Sequence, residues 1–301
     1  MEFKNFNELV TKVKESKSIR KVAVVSAQDK HTLEAVFKAK NDGLIFPILI
    51  GDKKKIQSII NSLGEELASE WIINVESDSQ AAYKAVEIIR NGEADFIMKG
   101  KIQTSDLLKA VVDKDKGLRT NSIMSHISIN EIPSYHKLLA VTDGGMMMYP
   151  DLTQKKSILE NAVNTFINMG YENPKVAVLS AVEVLNPKMI ETVDAAALKE
   201  MNLNGEIKNC LVEGPISYDL AMNKESALIK GFQSEVTENV DILIVPNITT
   251  GNILAKSLIY SAHAKMAGFI VGAKVPIVLT SRGSSSEEKY LSLALSASSV
   301  K

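Results

Sequence analysis

Residues 21–50 read KVAVVSAQDKHTLEAVFKAKNDGLIFPILI, and this stretch decides the fold. Lys21 to Ser26 is a short apolar run that reads as a buried strand. Lys30 to Lys40 then spaces its apolar residues as a helix does, and Ile45 to Ile50 is a second buried strand. A further helix begins near Asp52. Near-continuous apolar strands separated by amphipathic helices are the pattern of a parallel sheet covered by helices.

Working outward, the alternation continues. Trp71 to Val75 is a weaker strand candidate, and Gln80 to Arg90 has helical spacing that stops at Asn91-Gly92. Ala94 to Met98 is a strand running into Lys99-Gly100, with a helix around Leu107. Ser122 to Ile129 and Lys137 to Val141 leave no room for a helix between them, so an antiparallel excursion and a domain junction are expected there. Alternation resumes with a helix from Thr153 to Met169, ended by Gly170, and a strand at Val176 to Leu179. Cys210 to Val212 and Ile242 to Val245 are strands expected to lead into the turns Glu213-Gly214-Pro215 and Pro246 to Asn252. Phe269 to Val271 and Ile277 to Thr280 are the last strands, followed by a helix from Ser285.

At 301 residues the chain is longer than one ordinary core needs, so two domains are expected. Hydrophobic residues at 45% and charged residues at 24% are globular values, which argues against disorder. A net charge of −1 gives no global field to gather nucleic acid, so an anionic ligand needs a local pocket. The lone Cys210 fits a reducing compartment. The first residues lack a signal-like apolar run, and no stretch approaches the roughly 20 apolar residues of a membrane helix. A cytoplasmic location, with neither membrane nor nucleic-acid partner, is the expectation.

In open parallel sheets, ligands bind beyond the carboxyl ends of the strands, and four turns there carry polar groups. Thr280-Ser281-Arg282-Gly283-Ser284-Ser285 opens the last helix. Small residues and a glycine let backbone N–H groups converge on an anion, and Arg282 adds a bidentate donor. Ser285 with Glu288 also fits a helix-capping box, which by pattern alone is the commoner reading. Pro246-Asn247-Ile248-Thr249-Thr250-Gly251-Asn252 offers amides and hydroxyls ahead of a helix containing Lys256, although turns use the same residues for local reasons. Met98-Lys99-Gly100-Lys101-Ile102-Gln103-Thr104 sets two lysines around a glycine without Walker A spacing. Thr142-Asp143-Gly144-Gly145 precedes Met146-Met147-Met148. Asp143 either orients a ligand or closes a turn, and the methionines either line an apolar pocket or fill core.

Other chemistries lack their residues. The four histidines have no ligand spacing for zinc, and His126, at the end of a strand, reads as packed or surface. Gly-x-Ser-x-Gly is absent, and no G-x-G-x-x-G follows the first strand. Cys210 reads as a small buried hydrophobe.

The chain resembles the phosphate acetyl/butyryltransferase family, and most of all its butyryl branch. The resemblance spans effectively the whole sequence. It is carried in order by Val22-Ala23-Val24-Val25, Ala27-Gln28-Asp29, Met98-Lys99-Gly100, Gly117-Leu118-Arg119-Thr120 and Met124-Ser125-His126. Glu172-Asn173-Pro174-Lys175, Asn186-Pro187-Lys188, Gly214-Pro215, Pro246-Asn247, Thr250-Gly251-Asn252 and Leu279-Thr280-Ser281-Arg282 continue it.

The resemblance implies an isocitrate/isopropylmalate-dehydrogenase-like α/β fold of two domains with a cleft between them, usually a homodimer. The first domain would take residues 1–133 plus 270–301, and the second 134–269. It implies exchange of a short acyl group, butyryl or branched, between coenzyme A and inorganic phosphate by direct thiolate attack on the acyl phosphate. Coenzyme A is then a substrate, with no cofactor and no metal. Ser281 would touch the thiol or acyl phosphate, Arg282 would hold the phosphate, and Glu288 falls where the acetyl branch has an aspartate base. Lys99, Thr104, Arg119, Asp143, Asn247, Thr250, Asn252, Tyr260 and Gly283 are the implied substrate-binding positions. Tyr260 stands near an arginine of the acetyl branch, which points toward a larger acyl group. A phosphate acetyltransferase, a non-catalytic acyl-coenzyme A sensor and a dehydrogenase on the same fold are the alternatives.

Overall fold

In the computed structural model, residues 2–16, 18–280 and 283–300 are described. The chain divides into two compact units: Phe6–Ser122 with the segment from Ala267 onward, and Ile123–Met266 with the residues before Phe6.

The first unit starts with α1 (Phe6–Glu15), β1 (Arg20–Val25), α2 (Lys30–Asn41), β2 (Ile45–Gly51) and α3 (Lys53–Ser62). It continues through β3 (Ile72–Asn74), α4 (Asp78–Arg90), β4 (Phe96–Lys99) and α5 (Thr104–Val111). The second unit holds β5 (Ser125–Glu131), β6 (Leu139–Thr142), α6 (Leu152–Met169), β7 (Lys175–Leu179) and α7 (Ile190–Leu203). It goes on with β8 (Leu211–Ile216), α8 (Tyr218–Met222), α9 (Lys224–Ile229), β9 (Ile242–Ile244) and α10 (Ile248–Ser261). β10 (Lys265–Val271) carries the chain back, and β11 (Ile277–Val278) and α11 (Ser286–Ser299) follow.

In the first unit the strand order is β3-β2-β1-β4-β11-β10. All neighbours run parallel except β10 with β11. Val22 to Val25 and Phe96 to Met98 are fully buried, as a two-sided parallel core requires. Helix starts follow local chemistry: Asp29, Asp52 and Ser77 each accept a backbone N–H three residues on, which satisfies donors that have no partner within the helix. α11 is buried from Lys289 to Ala297, so it is enclosed on several faces rather than along one stripe, with Lys289, Ser292 and Ser296 among the buried residues.

The second unit orders its strands β5-β6-β9-β7-β8. β5 and β6 are antiparallel, as the missing helix between them requires, and the other pairs are parallel. Gly170 closes α6 at φ 99°, where a side chain would be strained. One expectation is corrected. Glu213-Gly214-Pro215 is not a turn but the interior of β8, and all three residues are buried. β8 is the terminal strand of this order, and there a proline lacking an N–H is tolerated.

Candidate active site

Parallel β1, β4 and β11 bring three successive turns to one carboxyl edge of the first unit. Val25 pairs with Lys99, and Met98 with Val278. The turn after β4 lies directly on the turn after β1. Gly100 N–H donates to the Val25 carbonyl at 2.8 Å and Lys101 N–H to that of Ser26 at 2.9 Å. A Cβ at Gly100 would stand 2.4 Å from the Ser26 carbonyl oxygen, so only glycine fits. Lys99 is buried, and its ammonium reaches the Gly100 carbonyl at 3.3 Å. Thr104 opens α5 and is exposed. Arg119 is exposed between two anchored neighbours: the Leu118 carbonyl accepts Lys274 N–H at 2.9 Å, and the Thr120 hydroxyl donates to Gly272 at 2.6 Å.

After β11 the chain enters the serine-rich turn. Ser281 and Arg282 lie outside the described residues. Gly283 is exposed. Ser285 caps α11 by accepting Glu288 N–H at 3.1 Å, so the cap uses the backbone of Glu288 and not its carboxylate. That carboxylate accepts the Ser284 hydroxyl at 2.6 Å. Burial raises the carboxyl pKa of Glu288, against the opposing effects of the Ser284 hydrogen bond and the Lys289 charge. The buried Lys289 is itself fixed to the Ser284 carbonyl at 2.8 Å. Glu288 is thus a half-buried carboxylate in the first turn of α11, held by a hydroxyl and with its pKa raised by burial. Ser284 was not read as a site residue, although its i,i+4 spacing to Glu288 was visible.

In the second unit the other two turns meet. Asp143 is buried, and its carboxylate accepts the N–H groups of Gly145, Met146 and Met147 at 2.7, 2.9 and 3.1 Å. It therefore closes this turn. Asn247 caps α10, accepting Thr250 N–H at 3.0 Å and its hydroxyl at 3.1 Å. Asn252 reaches the Gly144 carbonyl at 3.4 Å, and Gly144 packs against Gly251. His126 lies against Gly145. Its Nδ1 is buried without a partner, and burial holds the imidazole pKa below the ordinary value while Asp143 opposes that shift. Met146 and Met147 are half-buried, Met148 is exposed, and Tyr260 is 78% exposed on α10. Thus Asp143, Asn247, Thr250 and Asn252 form one cluster, with Tyr260 farther along α10. Among the described residues no group of three or more His, Cys, Asp or Glu side chains could hold a metal ion. Nor is any helix long and apolar enough to cross a membrane.

Residues 74–297 match the family model described as phosphate acetyl/butaryl transferase. A phosphate butyryltransferase of Clostridium acetobutylicum is 45% identical over 98% of this chain and 97% of its own length. A phosphate acetyltransferase of Thermotoga maritima is also 45% identical, over 92% of this chain and 94% of its own. Among solved structures, a branched-chain phosphotransacylase from Enterococcus faecalis V583 superposes with a TM-score of 0.81 at 33% identity. That match covers 93% of this chain and 99% of the other. These matches define an acyltransferase class, and the chain belongs to the phosphate acetyl/butyryltransferase family.

Proposed function

We propose that this protein is a phosphotransacylase that exchanges a short acyl group between coenzyme A and inorganic phosphate. The observation that carries the reading is identity of 45%, at nearly full length, to transferases of this activity. The turn after β11 supplies a chemical rationale. Glu288 takes the proton of the coenzyme A thiol, and the thiolate attacks the acyl phosphate carbonyl. The C–S bond forms, the bond from carbonyl carbon to phosphate oxygen breaks, and phosphate leaves. A free thiol has a pKa near 8.5, so a base above the ordinary carboxylate range suits the step. Arg282 is assigned to the phosphate and the charge growing on it, with Ser281 at the reacting group. Holding both substrates together contributes the remaining advantage by proximity.

The acyl group is assigned as butyryl or branched-chain, on the tyrosine at position 260 and the methionine trio. Relatives of both the acetyl and butyryl names stand at equal identity, so the test must rank substrates. Release of thiol from butyryl-, isobutyryl- and acetyl-coenzyme A is measured with and without phosphate. Phosphate-dependent release fastest with the four-carbon esters is expected. Equal rates on acetyl and butyryl esters would remove the chain-length assignment, and no release from any of them would remove the reaction. Lys99, Thr104 and Arg119 are assigned to the substrates on the β4 side. A cytoplasmic homodimer completes the proposal, and light scattering should return twice the chain mass.

A further inference from the structure

The turn that follows β6 rests on one imidazole of β5. We propose that His126 is a positioning residue for acyl transfer: through Gly145 it holds Met146 and Met147 where they discriminate among acyl chains. This rests on the phosphotransacylase reading and adds a specificity determinant to it. Thr142 stands opposite Ile127 in the antiparallel pair, so His126 falls beside Asp143 at the start of the turn. The backbone there is fixed from two elements. The Thr142 hydroxyl donates to the His126 carbonyl at 2.8 Å, and the buried Ser125 accepts the Asn161 amide of α6 at 3.0 Å.

The contact itself is close. A Cβ on Gly145 would stand 3.0 Å from His126 Cγ, 3.1 Å from its Cβ and 3.3 Å from Nδ1, so one flank of the imidazole lies on the glycine main chain. Gly144, one residue earlier, is set against Gly251 of α10. Consecutive glycines thus seat the turn on two different elements. Within the turn, one Asp143 oxygen accepts the N–H groups of both Gly145 and Met146, and the other accepts that of Met147. A shift at Gly145 therefore passes through a shared carboxylate to the backbone of both methionines, whose side chains are half-buried.

The contact is one of shape. Nδ1 is buried without a hydrogen-bond partner, so the ring does not hold the turn through that nitrogen. Burial keeps the imidazole neutral at neutral pH, against the opposing charge of Asp143. A cation there would compete with the three N–H donors for the same carboxylate. An apolar side chain branched at Cγ reproduces the atoms that meet Gly145, whereas alanine keeps only Cβ. The gap left by alanine lets the turn sink toward β5, and Met146 and Met147 with it. Chain-length discrimination responds to such movement, since one methylene in an apolar pocket is worth only about 10–200-fold.

The test measures kcat/KM for butyryl- and acetyl-coenzyme A in wild type, His126→Ala and His126→Leu. In His126→Ala the butyryl-to-acetyl ratio is expected to fall about 10-fold or more, and His126→Leu should restore most of it. Gly145→Ala, which strains the contact from its other side, should move the ratio as well. A loss of rate on both esters with the ratio unchanged, or an equal loss of the ratio in both His126 variants, would overturn the positioning role. A double-mutant cycle on the urea midpoint reads the contact without turnover. Gly145→Ala should destabilise wild type and cost less in His126→Ala, where the ring is gone. Additive losses would mean that the two residues do not touch, and would overturn the proposal. Coupling with no turnover of any ester would sink the reaction, and the role in it. Coupling and turnover with a ratio that no substitution moves would sink the role alone.

Discussion

Gly144 and Gly251 meet backbone to backbone: a Cβ on Gly251 would stand 2.8 Å from Gly144 Cα and 2.9 Å from the Asp143 carbonyl oxygen. This contact joins the turn after β6 to the first turn of α10. The two polar loops of the second unit are therefore one structural object.

Gly251→Ala should accordingly destabilise the fold. In an unobstructed helix the change would gain about 1 kcal/mol. Here the added carbon meets the main chain of the facing turn and the Val245 side chain, and overpacking of that kind costs about 1–3 kcal/mol. Urea unfolding should show a net loss. A gain in stability would mean that the two loops are not in contact in solution.

Glu288→Gln should lower the rate of acyl-coenzyme A formation from butyryl phosphate by on the order of 10²-fold or more. The helix cap survives, because Ser285 accepts the backbone N–H of residue 288. The raised pKa of Glu288 also fixes the sign of two pH effects. With Glu288 as the proposed base, kcat/KM should rise with pH through a midpoint above the usual carboxylate range. The folded protein holds this proton more tightly than the unfolded chain does, so ionised Glu288 disfavours folding above that midpoint. The amide variant should match or slightly exceed wild-type stability at neutral pH. A variant that loses stability but keeps its rate would make Glu288 structural only.

Lys137 and Asp241 form an ion pair at 2.8 Å in which both side chains are at most 2% exposed. Burial raises the Asp241 pKa, and Lys137 works against that rise. Lys137→Met leaves the carboxylate enclosed without its cation and should cost about 3–5 kcal/mol. The loss should be smaller at pH 5 than at pH 8, since a protonated Asp241 no longer carries an uncompensated charge. Denaturant titrations at the two pH values check this, and equal losses would contradict it.

Cys210 is buried, and burial pushes its thiol up to about 12, with Glu160 adding to the effect. Almost none of it is thiolate at neutral pH. Cys210→Ala should keep activity within about twofold, since direct transfer between the two substrates needs no acyl-cysteine. A loss of several orders of magnitude in a folded variant would require a covalent route.

The strand–helix alternation of the first unit was legible because its signals are local. Val22–Val25 and Ile45–Ile50 are unbroken apolar runs, and Asp52 stands where a helix must be capped. α1 and α7 to α9 were not read. Gly214-Pro215 was misread because its turn chemistry is as local as theirs, whereas its place in a terminal strand is set by sheet order. The candidate turns were legible one by one, as polar stretches after strands. Its joining contacts were not, because Gly144 with Gly251 and Ser26 with Gly100 are paired only through strand order, which no local pattern encodes.

The most direct test of the account is phosphorus NMR of butyryl-coenzyme A incubated with inorganic phosphate and the protein, with free thiol measured alongside. The account predicts an acyl phosphate resonance that grows in proportion to thiol and is absent without protein. Thiol released with no acyl phosphate would indicate hydrolysis, and neither product from folded protein would contradict acyl transfer altogether.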